Sequence, residues 1–251
     1  MLKVTDHDGV RELRLDRPPA NALRADLLIG LRSALEVAPA EGAGAVVLSG
    51  APGFFSAGLD VPHLMQREYG EAMATFEALF ALMRALCTSP VPVVAALTGH
   101  ATAGGAVIAL FCDYRVMAEG RFKVGLNEVQ VGLPIPRVIL AALERLVGPR
   151  AAERLCVEAR LVDPREAERL GLVDRVVPAA DVVLASLEWC KEVLALPPTA
   201  MNRTRMLARS QLLPAFEELA GVVPPEFSET WASEETQAAM HALVERLKSR
   251  Q

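Results

Sequence analysis

An α/β fold is predicted by three observations in the sequence. Two short, almost wholly apolar segments, AVVLSG (45–50) and VPVVAALTG (91–99), read as buried strands. Longer segments between and around them carry apolar residues at three- and four-residue steps, the spacing of a helix face turned to a core. Beyond Leu196-Pro197-Pro198 only helical patterns remain. The chain has 251 residues, enough for one large domain with an appendage, and we place a boundary near Pro197: a mixed body at 1–196 and a helical region at 197–251.

Leu13 and Leu15 alternate with Glu12, Arg14 and Asp16, which predicts an early strand stopped by Pro18-Pro19. A helix follows, its stripe formed by Leu23, Leu27, Leu28, Leu31 and Leu35. Phe76, Leu79, Phe80, Met83, Leu86 and Cys87 form a second stripe that ends before Pro90. The endings VVLSG and AALTG echo one another, as successive turns of a repeated unit would. GGAVIALFC (104–112) reads as a buried helix and DYRVMAE (113–119) as a strand. RAAERLCVEA, PREAERLG and the segment after Pro178 are helical by pattern, and Met240, Leu243, Val244 and Leu247 close the chain as an amphipathic helix.

Composition narrows the function. A formal net charge of −5 gives no long-range attraction for nucleic acid. Cys87, Cys112, Cys156 and Cys190 are far apart, without a C-x-x-C pair, and read as buried thiols in a reducing compartment. The first residues contain no apolar signal region and the longest apolar run, AVIALFC (106–112), is too short for a bilayer, so a cytoplasmic protein with no membrane association is expected. The histidines are scattered, and no metal site is expected. Gly99-x-x-x-x-Gly104 begins like a phosphate loop, but Gly105 and Ala106 stand where Lys and Ser/Thr are required; G-x-G-x-x-G and G-x-S-x-G are absent.

Two segments share a layout suited to chemistry. FFSAGLD (54–60) and GHATAGGAV (99–107) each follow a buried strand with small residues and glycine. Glycine admits a ligand close to the main chain, and free amides at a helix start are donors to a developing negative oxygen. Two of them facing each other form an oxyanion hole; each alone is also a common packing turn. In FKVGLNEVQVGLP (122–134) a single carboxylate, Glu128, stands among apolar residues, glycines and amides. Read by itself, it fits a helix-start or loop carboxylate paired with an arginine better than a catalytic acid, since structural ion pairs are common.

In order and spacing, FFSAGLD, the Ala-Gly-Gly turn, FCDYRVMAE and GLNEVQVGLP resemble the enoyl-CoA hydratase/isomerase (crotonase) family, and within it the Δ3,Δ2-enoyl-CoA isomerases. GPRAAERLCVEARLVDPREAERLGLVDRVVP (148–178) extends the resemblance, which covers essentially the whole chain. It implies a spiral of ββα units followed by a helical C-terminal region that serves as lid or oligomer contact. It also implies a homotrimer or dimer of trimers acting on an acyl-CoA substrate, with no further cofactor.

Carried over residue by residue, the resemblance makes the backbone N–H groups of Leu59 and Gly104 the oxyanion donors and Glu128 the base acting on carbon-bound protons. Ser56, Ala57, Gly58, Asp60 and Val61 are expected along the CoA channel, Asp60 equally as a helix cap. Asn127 is expected beside the thioester or setting the Glu128 geometry, equally as a turn former. Ala20 and Ala22 match a region near the adenine end. Arg17, Arg24, Arg246, Lys248 and Arg250 are candidates for the CoA phosphates, although most exposed cations only solvate. Hydratases of the family carry a second glutamate where this chain has Val107. That points to isomerisation of 3-enoyl-CoA to 2-enoyl-CoA. Weak hydration, thioester hydrolysis and decarboxylation are the alternatives, because one such hole stabilises several oxyanions.

Overall fold

The computed structural model describes residues 2–218 and 223–249. Among the described residues nine strands form two sheets. They are β1 (Leu2–His7), β2 (Val10–Leu15), β3 (Ala45–Ser49), β4 (Gly53–Ser56), β5 (Val93–Leu97), β6 (Gly99–Thr102), β7 (Tyr114–Ala118), β8 (Val124–Gly125) and β9 (Arg175–Val177). The larger sheet has the order β1-β2-β3-β5-β7-β9 and the smaller β4-β6-β8. Among these strand pairs the β1–β2 hairpin is antiparallel and the others are parallel. Its turn, Asp8-Gly9, has φ of 47° and 84°, the two positive values that a two-residue hairpin of this twist requires.

The chain visits the two sheets alternately. β3 is followed by β4, then by helices Val61–Leu64 and Tyr69–Thr88; β5 is followed by β6, then by helix Gly104–Leu110; β7 is followed by β8. Each turn of the spiral therefore contributes one strand to each sheet before a helix returns, the ββα repeat expected of the crotonase fold. The echo between VVLSG and AALTG marks the crossing points. A Cβ on Gly50 would lie 2.3 Å from the Phe54 carbonyl oxygen, and one on Gly99 would lie 2.0 Å from the Gly53 carbonyl carbon. Glycine stands where one sheet hands the chain to the other because main chains pass there at contact distance. The second sheet is absent from the sequence reading, since strands of four residues or fewer, with glycine in each, carry no alternation.

The central strands of the larger sheet, β3 and β5, are buried on both faces. Val46 and Leu48 join the main core with Leu13, Leu15, Phe55, Leu97 and Phe111, while Ala45 and Val47 face the other way onto helix Val182–Leu194. This two-sided burial explains why β3 and β5 read as continuous apolar runs. One sequence expectation is corrected. Leu23 does not belong to the helix stripe: the helix spans Ala25–Val37, and Leu23 is a β-bridge residue opposite Leu59. Its period with Leu27 is fortuitous, because the extended Arg24 (φ −123°, ψ 166°) separates it from the helix.

Residues beyond Pro197 form helices Pro198–Arg209, Leu213–Glu218, Pro225–Trp231 and Glu234–Lys248. Leu212, Phe216, Phe227, Trp231 and Met240 enter the main core, and the Phe227 and Trp231 rings meet the Phe76 ring edge-on at 4.9 and 5.2 Å. Helix Pro198–Arg209 is fastened by charge. Buried Asp113 accepts Arg205 at 3.1 Å and also binds Arg209, while receiving the Val93 amide at 2.8 Å. The same guanidiniums donate to the carbonyls of Ser89 and Phe111, which cap helices Tyr69–Thr88 and Gly104–Leu110. Two cations on one carboxylate are balanced there by two helix C-termini, each the negative end of its dipole. The four cysteines are free and buried. No helix among the described residues is long and apolar enough to cross a membrane.

Asp113→Ala would leave Arg205 and Arg209 buried without their carboxylate, a change expected to cost about 3–5 kcal/mol. Chemical denaturation should register it as a lower midpoint at unchanged slope; a midpoint within error of the parent protein would contradict this account of how the C-terminal helices are held.

Candidate active site

All three strands of the smaller sheet run parallel, with Ser56 opposite Ala101 and Thr102 opposite Gly125, so their carboxyl ends share one edge. Ligands of such sheets collect outside that edge. The three candidate segments lie there: Ala57 to Leu59 after β4, Ala103 and Gly104 after β6, and Leu126 to Glu128 after β8. The Ala103 amide donates to the Gly125 carbonyl at 3.0 Å, tying the second segment to the third.

The first two segments touch. A Cβ added at Gly58 would come within 2.9 Å of the Ala103 methyl and 3.0 Å of the Gly104 nitrogen, and Gly58 has φ 90°. A Cβ at Gly104 would lie 3.5 Å from the Leu59 nitrogen. Leu59 is held by its parallel bridge: Leu23 N–H donates to the Gly58 carbonyl at 2.8 Å and Asp60 N–H to the Leu23 carbonyl at 2.9 Å. Such a bridge engages the groups on either side of Leu59 and turns the amide of Leu59 itself away from Leu23. Gly104 opens its helix, where an amide has no partner one turn back. Among the described residues neither N–H donates a hydrogen bond to the protein. Two unengaged amides stand side by side, an arrangement able to receive charge growing on one oxygen.

Glu128 begins a 3-10 turn, Glu128–Val131, that Gly132 closes at φ 78°. Its Oε2 and the neighbouring Asn127 Oδ1 are buried without a hydrogen-bond partner. Among the described residues Glu128 forms no ion pair, so the arginine-paired loop carboxylate is not what the chain builds. Burial pushes its carboxyl up to about 7, against a weaker opposite pull from the backbone amides of Glu128 and Asn127. Cys156 lies within its electrostatic reach: that thiol is pushed up to about 11 by burial and then by the Glu128 and Glu144 carboxylates. The turn is braced by the last helix, whose Thr236 hydroxyl donates to the Gly132 carbonyl at 2.9 Å. Val107, one turn into helix Gly104–Leu110, is buried and offers no protic group.

The remaining predicted residues divide. Ser56 is corrected from channel lining to support: it is fully buried, its Oγ donating to the Asn21 carbonyl at 2.8 Å and accepting from Gly58 N–H at 3.1 Å. Gly58 is buried too, while Ala57 and Val61 keep partial exposure. Asp60 caps helix Val61–Leu64, accepting the His63 amide at 3.1 Å, and also gathers Arg24 at 2.7 Å and Arg17 at 3.3 Å. Both arginines are thus drawn together beside the first segment, two cations on one carboxylate. Ala20 accepts the Ala57 amide at 3.0 Å, and the Ala22 carbonyl accepts Arg17 at 3.2 Å. On the last helix Arg246 is exposed and Lys248 pairs with Glu245 at 2.8 Å; Arg250 lies outside the described residues.

Two contributors escape sequence reasoning. Buried Asn21, at φ 49°, donates to the carbonyls of Phe54 and Phe55 at 3.2 and 3.1 Å and so pins the Pro18-Pro19 loop to β4. An asparagine directly after Pro-Pro-Ala is a signal of left-handed turn geometry that would have found it. Ala103 adopts φ 48°, and no feature of the sequence announces it.

Comparison with known proteins agrees along almost the whole chain. The family model described as enoyl-CoA hydratase/isomerase matches residues 5–250. The human mitochondrial protein named enoyl-CoA delta isomerase 1 is 31% identical over 243 residues, covering 96% of this chain and 80% of that protein. A Mycobacterium tuberculosis protein named as a probable enoyl-CoA hydratase is 34% identical over 194 residues, 77% of this chain and 74% of its own. The crystal structure of human mitochondrial Δ3-Δ2-enoyl-CoA isomerase superimposes with a TM-score of 0.94 at 30% identity, covering 100% of this chain and 99% of that one.

The Glu128 carboxyl also sets a pH dependence of stability. Between the ordinary value of 4.5 and about 7 the folded protein keeps a proton that the unfolded chain has released, so stability falls as pH rises through that window and levels off above it. Glu128→Gln removes this penalty. Its advantage over the parent in urea titrations should be larger at pH 8 than at pH 5, and an equal difference at both would show that the carboxyl is not its source.

Proposed function

The chain belongs to the enoyl-CoA hydratase/isomerase family, and from that membership we propose that it is an acyl-CoA isomerase that moves a double bond from the 3,4 to the 2,3 position of an enoyl-CoA thioester. One observation carries the choice of reaction. Glu128 is the single acid offered by the three segments at the sheet edge, and the position at which hydratases have a second glutamate is the buried Val107. Valine can neither orient a water molecule nor pass on its proton. One carboxyl suffices to shift a double bond.

In the proposed reaction Glu128 removes a proton from C2 of the 3-enoyl-CoA. The electrons of that C–H bond move into the conjugated system, and the thioester oxygen takes up the negative charge of a dienolate. The N–H groups of Leu59 and Gly104 are the donors to that oxygen, each of the kind whose loss costs about 2.7–4 kcal/mol of transition-state stabilisation. The carboxyl then delivers its proton to C4. One C–H bond is broken and one is made, with no net oxidation, so the reaction calls for no redox cofactor. A carboxyl raised to about 7 suits a group that must both accept and return a proton near neutrality.

Binding and assembly belong to the same reading. Asn127 and the exposed parts of Ala57, Leu59 and Val61 line the thioester end, and the Arg17–Arg24 pair beside Asp60 supplies cations for the CoA phosphates. The helices beyond Pro197 act as lid and contact between copies in a homotrimer or dimer of trimers. Thr236 on the Gly132 carbonyl supports the lid, and the exposed Leu207 side chain supports the contact. Four unpaired buried thiols suit a reducing compartment, and we propose the cytoplasm. The Mycobacterium tuberculosis relative, named as a probable hydratase, keeps hydration as the second reading. Thioester hydrolysis and decarboxylation use a similar hole but have no such support here.

Purified protein should convert 3-enoyl-CoA into 2-enoyl-CoA without added metal or redox cofactor, measured by the absorbance of the conjugated thioester. Rapid water addition to 2-enoyl-CoA without migration of the double bond would select hydration instead. kcat/KM should rise as pH increases through about 7, where Glu128 becomes ionised. Glu128→Gln should bind CoA thioester nearly as tightly as the parent but lose turnover; a retained rate would remove Glu128 from the mechanism.

A further inference from the structure

Ala103 is the residue at which β6 turns into helix Gly104–Leu110, with φ 48° and ψ −124°. Side chains other than hydrogen rarely adopt this conformation, and such strain persists only where surrounding structure enforces it. The enforcement is visible. Ala103 N–H donates to the Gly125 carbonyl at 3.0 Å, and its own carbonyl accepts Val107 N–H at 2.9 Å. Its methyl group stands against Gly58, where an added Cβ would approach it to 2.9 Å. The ψ angle of Ala103 sets the plane of the peptide joining it to Gly104, and therefore the direction of the Gly104 N–H. A relaxed ψ would turn that amide away.

We infer that Ala103 is a positioning residue: its methyl, wedged against Gly58, and its two backbone hydrogen bonds hold the Ala103–Gly104 peptide so that the Gly104 N–H points into the cleft beside the Leu59 N–H. The strand, strained residue and helix form a sharp turn that aims the amide of the following residue, as the strand-to-helix elbows of serine hydrolases do. Alanine serves here for its one methyl. Glycine would meet the same dihedral angles without strain but would also open the neighbouring basins, and the peptide would no longer be confined to one orientation. The inference rests on the proposed reading only in that the Gly104 amide faces a thioester oxygen.

Ala103→Gly tests it, because glycine fits the conformation and the variant should fold. The thermal midpoint is expected to equal that of the parent or exceed it by about 2–4 °C, the response of a chain of this size to modest relief of strain. KM should stay within about twofold, while kcat falls about tenfold, part of the roughly 10²–10³ lost with a whole donor. The direct readout is the infrared carbonyl stretch of bound butanoyl-CoA labelled at the thioester carbon, a saturated probe that cannot isomerise. In the parent the band should lie below its position in free butanoyl-CoA, and in the variant it should return most of the way. A band unchanged by the substitution overturns the inference, as does a returned band accompanied by a lower thermal midpoint, which would signal general loosening. A parent protein that polarises the probe but moves no double bond would refute the isomerase reading and leave the role of Ala103 standing.

Discussion

The approach of two main chains at Gly58 and Gly104 is the constraint on which the rest of the site depends. Nothing larger than hydrogen fits at Gly58, where an added Cβ would crowd the Ala103 methyl and the Gly104 nitrogen. That crowding brings the amides of Leu59 and Gly104 to the same place. Each is free for a separate reason: Leu59 because its parallel bridge to Leu23 engages only the flanking groups, Gly104 because it opens a helix. The supports are also main-chain or fully buried. Ser56 holds Gly58, Asn21 holds β4, and the Gly125 carbonyl holds Ala103. Donors fixed in this way need little reorganisation when charge develops, which is the property that makes them effective.

Glu128 obeys the opposite logic. The chain surrounds Asp60 with two guanidiniums and Asp113 with two more, yet leaves Glu128 with no cation and one buried oxygen without a partner. An ion pair would hold its carboxyl in the ordinary range or below; burial without one raises it to about 7. Asp60 and Asp113 are thus structural carboxylates matched by arginine, whereas Glu128, at the carboxyl edge of the smaller sheet, has no ion-pair partner among the described residues. The surplus of arginine around Asp113 is absorbed by helix C-termini, so it calls for no bound anion.

Much of the fold was legible in the sequence, for reasons that differ by element. β3 and β5 stand out because strands buried on both faces must be apolar throughout, and helix Tyr69–Thr88 because Phe76, Phe80 and Met83 share one face. β4, β6 and β8 do not stand out, because they are four residues or fewer and owe their pairing to close backbone contact. Leu23 was drawn into a helix by a period that happens to fit, and only the bridge to Leu59 shows its place. At the site, Glu128 and the two glycine turns are singled out by family pattern, and the placement of the three segments at one edge follows from the register of the smaller sheet. Ser56 and Asp60 proved to be held by hydrogen bonds that sequence spacing cannot reveal. The strain at Ala103 is a dihedral angle imposed by three neighbours, and it has no signature in composition or motif.

The last helix joins two distant parts of this arrangement. Glu234–Lys248 packs on helix Val61–Leu64, which continues from Leu59 through Asp60, and its Thr236 grips the carbonyl of Gly132 at the end of the Glu128 turn. A strut that touches both the helix after Leu59 and the Glu128 turn makes their spacing depend on the far end of the chain. On the proposed reading, a neighbouring molecule resting against that helix would be felt where the proton is exchanged.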